Sequence, residues 1–439
     1  MALLIEKAFT VLALFLYSGA IGLFIGDTNP LAPVKFACAI AGFLIASCLL
    51  LLRFKRALAV ANRDKFLWIL ISFTILSVVW SDYPQVTATH AFTLFRVTIF
   101  GLYFATRYTI SEQMKLIAWA LGIGAVLSLV VAVLFPYYGV MGYGLVITME
   151  LNKHTGIWRG VYIHKTTLGT MMTLGTLAFI YCRVQIRGSQ LYRWATWAGA
   201  AFCFGMLMMS TTKAALAILI IVLVMIPFFR ALRWNYSYAI PFFIILLLVG
   251  GSAIVFLVAN AEPILTSLGR DITISGRTIY WPLMIAKALQ RPWFGYGQAT
   301  FWHGGWKGEP ADIWRFLADG DEPPHAHNGF INVWLSIGII GLILFALSYF
   351  TACLRAIKWV RTVKTAEGLV PLCFLVLIIL LNLTESLLME PELVWLYYVS
   401  MSLSMHNRFI KRPAFEPDSL PATSDITGSE LIKPPNPVL

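Results

Sequence analysis

Along this chain, apolar stretches of near membrane-spanning length follow one another with short interruptions, and that pattern limits the fold more than any single residue. A helix needs roughly 20 mostly apolar residues to cross a bilayer. About twelve stretches qualify, centred on 8–26, 33–52, 66–80, 91–106, 114–135, 166–183, 194–211, 214–232, 237–258, 329–354, 369–389 and 393–407. The third, fourth and last are short. The composition agrees, with 59% hydrophobic and 12% charged residues, where a soluble domain carries about a quarter charged. The expected fold is an all-α integral membrane protein of about twelve transmembrane helices, with one large outside loop between spans 9 and 10. The amino terminus, MALLIEKAF, runs into apolar residues without a small-residue cleavage site and reads as an uncleaved first span.

A net charge of +12 would suggest nucleic acid in a soluble protein. In a membrane protein it reflects Lys and Arg gathered in cytoplasmic connections, so the expected partner is the lipid bilayer and no nucleic acid. With the amino terminus inside, RFKRALAVANRDK, ATRYTISEQMK, CRVQIRGSQLYRW, FRALRWNY, CLRAIKWVRTVK and the tail from HNRFIKRP all face the cytoplasm, and all are basic. GDTNP, WSDYPQVTATH and TESLLMEPEL face outside, with acids and no Lys or Arg. Both termini are therefore expected to be cytoplasmic. Spans 1–9 fall within 1–258, the polar loop covers 259–329, spans 10–12 lie in 330–407, and 408–439 is expected as a disordered tail. The six cysteines lie within or beside apolar stretches and form no CxxC pair, which argues against disulfides and metal clusters.

Two outside stretches break the charge rule by being basic. Residues 136–165 carry Lys153, Arg159, His164 and Lys165, and the long loop carries Arg270, Arg277, Lys287, Arg291, Lys307 and Arg315. Cations on the far side of the membrane suggest a bound anion. Within SGRTIYWPLMIAKALQRPWFGYG, the pattern predicts an amphipathic helix from about Arg277 to Leu289 on the outer membrane surface. Ser275 would cap it, and Ile279, Leu283, Ala286 and Leu289 would share one side. Arg277 at its start either holds a phosphate bidentately or pairs with a lipid headgroup or Asp271. His325, His327 and Asn328 stand where the tenth span begins, a boundary position that suits proton transfer or a bond to phosphate. No carboxylate or cysteine stands at ligand spacing to complete a metal site with the His pair, but Asp319, Asp321 and Glu322 are near, so metal binding stays the lesser alternative. Gly338 and Gly341 in the helix that follows would allow a neighbour to approach. Lys213 lies between two spans with almost no loop, and Arg96 falls inside a span, where charges are functional candidates. Glu385, near the outer face, can pair with one of these cations. Trp281 and other outside tryptophans form an interfacial belt or stack on sugars.

Several separated pieces together resemble the O-antigen ligase and polymerase superfamily (Wzy-like and WaaL-like membrane proteins), and within it the ExoQ-type exopolysaccharide polymerases. WSDYPQVTATHA resembles the family's first outside loop, and GIWRGVYIHKTTLG its Arg-Gly…His-Lys turn. SGRTIYW…FGYG and HAHNGFINVWLSIGIIG resemble the Arg and His-Asn motifs of the large loop, and NLTESLL points to the ExoQ-type branch. The resemblance runs to about residue 405. It implies a GT-C-like bundle in the bacterial inner membrane with its active site facing the periplasm. It implies a donor glycan on undecaprenyl pyrophosphate, and neither metal, cofactor nor nucleotide sugar. Arg277 matches the family's loop arginine and His327 its histidine. Lys213 stands where many members have arginine, so the cation is kept without the bidentate fork; Arg159 is then a candidate to share its role.

On this reading Arg277, His327 and Lys213 are catalytic, and Arg159, Lys165, His325, Asn328, Arg96, Glu385 and Trp281 bind substrate. The expected function is an exopolysaccharide repeat-unit polymerase, with a chain-length or export protein as a further partner. The alternatives are a ligase delivering glycan to lipid A core or another acceptor, and a flippase for lipid-linked oligosaccharide. A flippase would need midplane polar residues and commonly shows internal repeats, whereas here the polar groups crowd the outer face.

Overall fold

The computed structural model describes residues 1–20, 22, 32–142, 155–185, 189–234, 237–238, 241, 277–317 and 323–405. Most of the ninth expected span, the proposed Ser275 cap, Lys153, Arg270, Asp271 and the tail from 408 lie outside these residues. The described helices are α1 (Ala2–Tyr17), α2 (Ala32–Leu51), α3 (Phe54–Ala61), α4 (Lys65–Leu76), α5 (Pro84–Arg107), α6 (Ile110–Leu134), α7 (Lys165–Gln185), α8 (Gln190–Met209) and α9 (Lys213–Ala231). They continue with α10 (Arg277–Gln290), α11 (Ala311–Phe316), α12 (Gly329–Thr362), α13 (Val370–Asn382) and α14 (Leu393–Ser404). Four of them, α6, α7, α9 and α12, are long and apolar enough to cross a membrane, and α2 with α3, bent by 101°, makes a fifth candidate. The stretches 65–79, 366–382 and 393–404 are shorter apolar helices. The chain is thus all-helical among its described residues, with several apolar helices of the kind an integral membrane protein carries.

Helix boundaries differ from the hydropathy reading where polar residues open or close a helix. The expected outside connection WSDYPQVTATH is partly helix, because Pro84 takes the first position of α5 and its fixed φ suits that place. The expected connection after α5 shrinks to Tyr108 and Thr109, whose side chain makes a reciprocal capping box with Glu112. Likewise α12 runs on to Thr362, through most of CLRAIKWVRTVK.

Buried polar pairs tie several connections together at one end of the bundle. Glu6 on α1 pairs with Arg53 after α2 at 3.2 Å and with Arg107 at the end of α5 at 3.0 Å. Asp64, fully buried at the start of α4, accepts from the Leu67 amide, Ser348, Ser402 and Arg355 (2.7–3.1 Å). Arg233 donates to the carbonyls of Val360, Val363, Lys364 and Thr365. A buried carboxylate is tolerated only when paired and hydrogen-bonded in this way.

At the other end, the polar loop builds a small core of its own. Tyr280, Met284 and Ala288, one stripe of α10, are buried with Tyr296, Phe301, Ile313, Ala326 and Leu335. The stripe is not the expected one: of the side read from sequence, Leu283 packs against this core, whereas Ile279, Ala286 and Leu289 remain exposed. Tyr280 carries both a large apolar body and a polar tip, which hid it from an apolar count. The turn RPWFGYG then docks into a break in α12, where Ile337 and Gly338 leave helical geometry. Tyr296 and Gly297 amides donate to the Leu335 and Ser336 carbonyls, and the Ile339 amide donates to Pro292 O, each at 2.8 Å. Irregular backbone at such a place is stable because each freed group finds a partner. Gly338 is required there: its φ is +70°, and a Cβ would lie 2.1 Å from the Trp293 carbonyl oxygen. The close neighbour that Gly338 admits is this turn rather than another helix.

Candidate functional site

The loop between α13 and α14, residues 383–392, is the floor on which the candidate site assembles. Arg277, the first residue of α10, donates from Nη2 to the Thr384 carbonyl at 2.8 Å, which sets its guanidinium beside Glu385. From the opposite direction, the His325–Asn328 turn descends onto the same loop. The Asn328 amide donates to Ser386 Oγ (3.3 Å), and its side-chain oxygen accepts from the Phe330 and Ile331 amides, capping α12. Asn328 therefore has a structural role, which its residue type as an N-cap would allow. Trp281 Nε1 donates to the Ala326 carbonyl at 2.9 Å, so this indole fixes the turn against α10.

The result is a cluster of Arg277, His325, His327 and Glu385. His327 Nδ1 lies 3.6 Å from Glu385 Oε2, an ion-pair distance longer than a hydrogen bond. The rings of His325 and His327 meet edge to face with centroids 4.2 Å apart, and the His327 amide donates to His325 Nδ1 at 3.2 Å. Burial, together with the neighbouring His327, pushes the His325 imidazole down to about 4, so it is neutral at physiological pH. Burial alone would raise the Glu385 carboxyl, but the approach of His327 and the nearby Arg277 guanidinium outweigh it, and the group is held below its ordinary value. His327 adopts φ +46°, the left-handed region that most side chains avoid.

Glu385 is the residue whose place sequence spacing did not reveal. It supplies the carboxylate missing from the His325–His327 pair, and ligand atoms of the three lie within 4.8 Å of one another. Such a set suits a divalent transition metal as well as proton transfer. His164, the histidine of the Arg-Gly…His-Lys turn, comes close enough to interact electrostatically with His325. It is followed by Lys165, the first residue of α7, whose carbonyl accepts from Thr212 Oγ1 at 3.2 Å. Lys213, opening α9, thus stands beside Lys165, after a left-handed Thr211 (φ +49°).

Other expected cations are committed elsewhere. Lys287 pairs with Glu309 and Asp312, Arg291 with Asp82, and Arg315 with Asp312. These pairings leave Arg277 and Lys307 as the described loop cations without a carboxylate ion-pair partner among the described residues. Arg159 donates from Nε to the Tyr138 carbonyl at 2.8 Å. Arg96 lies apart, inside α5, with the Phe36 and Phe92 rings 5.9 and 5.4 Å from its guanidinium.

The apolar helices suggest a multi-pass membrane protein, and the candidate cluster gathers on its loops. Residues 198–346 match the family model for O-antigen ligase. The chain is also 29% identical over 210 residues to the exopolysaccharide production protein ExoQ of Rhizobium meliloti (strain 1021). That match covers 45% of this chain and 46% of the relative, so the chain spans about half the length of the curated relative it matches. Together these findings support the O-antigen ligase/ExoQ-like family for this protein.

Proposed function

We propose that this protein is a glycosyltransferase, an exopolysaccharide repeat-unit polymerase. It takes a glycan from undecaprenyl pyrophosphate and joins it to a lipid-linked acceptor repeat with inversion. In this reading the bundle has twelve spans in a GT-C-like arrangement, both termini are cytoplasmic, and the Arg277 cluster faces the periplasm of the inner membrane. The observation that carries the proposal is the convergence of Arg277, His325, His327 and Glu385 on one loop. The family match and the ExoQ relative supply the substrate class.

The donor pyrophosphate meets Arg277, with Lys213, Lys165 or Arg159 opposite. These cations stabilise the charge that grows on the leaving pyrophosphate as the anomeric C–O bond breaks. An acceptor hydroxyl attacks the anomeric carbon from the far side and forms the new glycosidic bond. Its proton goes to His327. With Nδ1 toward Glu385, His327 presents Nε2 to the hydroxyl, and the carboxylate stabilises the imidazolium that forms. His325, neutral, adds no charge to oppose this. No metal takes part in this mechanism, and a partner that sets chain length acts on the product.

The test is reconstitution with undecaprenyl-pyrophosphate repeat units in excess chelator, resolving products by gel beside His327→Ala. A ladder that the variant loses supports the polymerase. Transfer only when a separate acceptor is added would make the protein a ligase. Movement of the lipid-linked glycan across the bilayer without transfer would make it a flippase.

A further inference from the structure

A cavity of about 660 Å³ opens between α1, α6 and α8, far from the Arg277 cluster. Its walls are apolar, with Leu12 and Phe15 from α1 and Trp119 from α6, and its mouth carries Lys7, Lys115 and Tyr192 together with one carboxylate, Glu112. Neither lysine has an ion pair or hydrogen bond among the described residues, whereas nearby Glu6 and Glu112 are engaged. Glu6 binds Arg53 and Arg107, and Glu112 accepts from the Thr109 amide and hydroxyl at 2.8 Å. Lys7 lies in the second turn of α1, Lys115 in the second turn of α6 and Tyr192 in the first turn of α8. Three helices thus turn their amino ends, where the backbone dipole is positive, toward the mouth that holds the two ammonium groups.

We propose that this cavity is a binding site for one glycerophospholipid with an anionic headgroup. An acyl chain lies against Leu12, Phe15 and Trp119, and the phosphate is held by Lys7 and Lys115. A groove with an apolar floor and a cationic rim matches that amphiphile. A zwitterionic headgroup sets a cation beside its own phosphate and so brings no net counter-charge to the two ammonium groups. The inference rests on the membrane reading of the chain and is independent of the polymerase reading, because the site takes no part in transfer.

The experiment is native mass spectrometry of delipidated, full-length protein titrated with phosphatidylglycerol or phosphatidylcholine of the same acyl chains. One phosphatidylglycerol per protein should be retained at activation energies that strip phosphatidylcholine. Lys7→Gln with Lys115→Gln should reduce that preference about thirty-fold. Ala8→Trp, which fills the groove wall, should reduce binding of both lipids at this one site. Equal retention of the two lipids overturns the proposal, as does an undiminished preference in the double variant. Binding unchanged in Ala8→Trp shows that the lipid sits elsewhere.

Discussion

Arg277→Lys is the sharpest perturbation of the proposed site, because it keeps the charge and removes only the geometry. The guanidinium has five N–H donors in a planar fork, and one of them reaches the Thr384 carbonyl at 2.8 Å. A lysine nitrogen that keeps the Thr384 bond cannot also offer a parallel pair of N–H groups to a phosphate. Two losses follow. One charge-assisted hydrogen bond is worth about 1.5–3 kcal/mol. Drawing the positive charge back from about 4 to about 6 Å costs about 1.4 kcal/mol at an effective dielectric of about 20. The sum, roughly 3–4 kcal/mol, is a fall of roughly 10²–10³ in rate. It should be in kcat, since the charge on the leaving pyrophosphate grows only toward the transition state. The assay is single-turnover consumption of lipid-linked repeat by reconstituted protein, with thermal unfolding in parallel to establish that the variant is folded. A rate within about fivefold of the parent, or a loss confined to KM, would refute the role given to Arg277.

Other variants test the frame around the site. Gly338→Ala places a Cβ 2.1 Å from the Trp293 carbonyl oxygen at φ +70°. It should unseat the RPWFGYG turn, lower the melting temperature and reduce transfer. Asp64→Ala removes a fully buried carboxylate, leaving the partly exposed Arg355 without its 2.7 Å partner and the Ser348 and Ser402 hydroxyls without their acceptor; about 3 kcal/mol of stability should be lost in chemical unfolding. Burial and the neighbouring Glu392 push the Glu390 carboxyl up to about 8 from an ordinary 4.5. A raised folded value favours the protonated form. The wild type should therefore lose stability as pH rises from about 4.5 through about 8, whereas Glu390→Gln should be flatter across that window in thermal scans.

That the chain is helical with several apolar helices was legible, because hydropathy reports burial in lipid directly. Arg277–Gln290 was also legible as a helix, because its breakers Arg291-Pro292 and Gly295 mark its end. What escaped were relations between distant segments. Nothing near His327 in sequence points to Glu385, which reaches it from the turn after α13. The partners of Lys287 and Arg291 come from residues 309–312 and from Asp82, so these cations looked available for an anion. The break at Gly338 resembled an ordinary small-residue contact because only the docked turn reveals what the missing Cβ makes room for. Charge and hydropathy are local signals, while a site assembled from three loops is a tertiary fact.

The strain at His327 bears on what that residue does. Its φ of +46° lies between an amide bonded to His325 Nδ1 and an Asn328 that caps α12 and binds Ser386. A turn needed only to start the helix would be better served by glycine, since a left-handed residue with a Cβ costs about 1–2 kcal/mol. Glycine's greater unfolded-state entropy returns about 0.5–1 kcal/mol of that gain. His327→Gly should therefore be about 0.5–1 kcal/mol more stable than His327→Ala, with both inactive in transfer. Differential unfolding of the two variants in one detergent measures the difference. If the glycine variant is no more stable, the backbone stores no strain, and the position of the imidazole is set by its ring contacts alone. If the difference is present, the protein keeps a costly backbone to aim His327 at Glu385, an arrangement explained by chemistry at the ring and not by the needs of the fold.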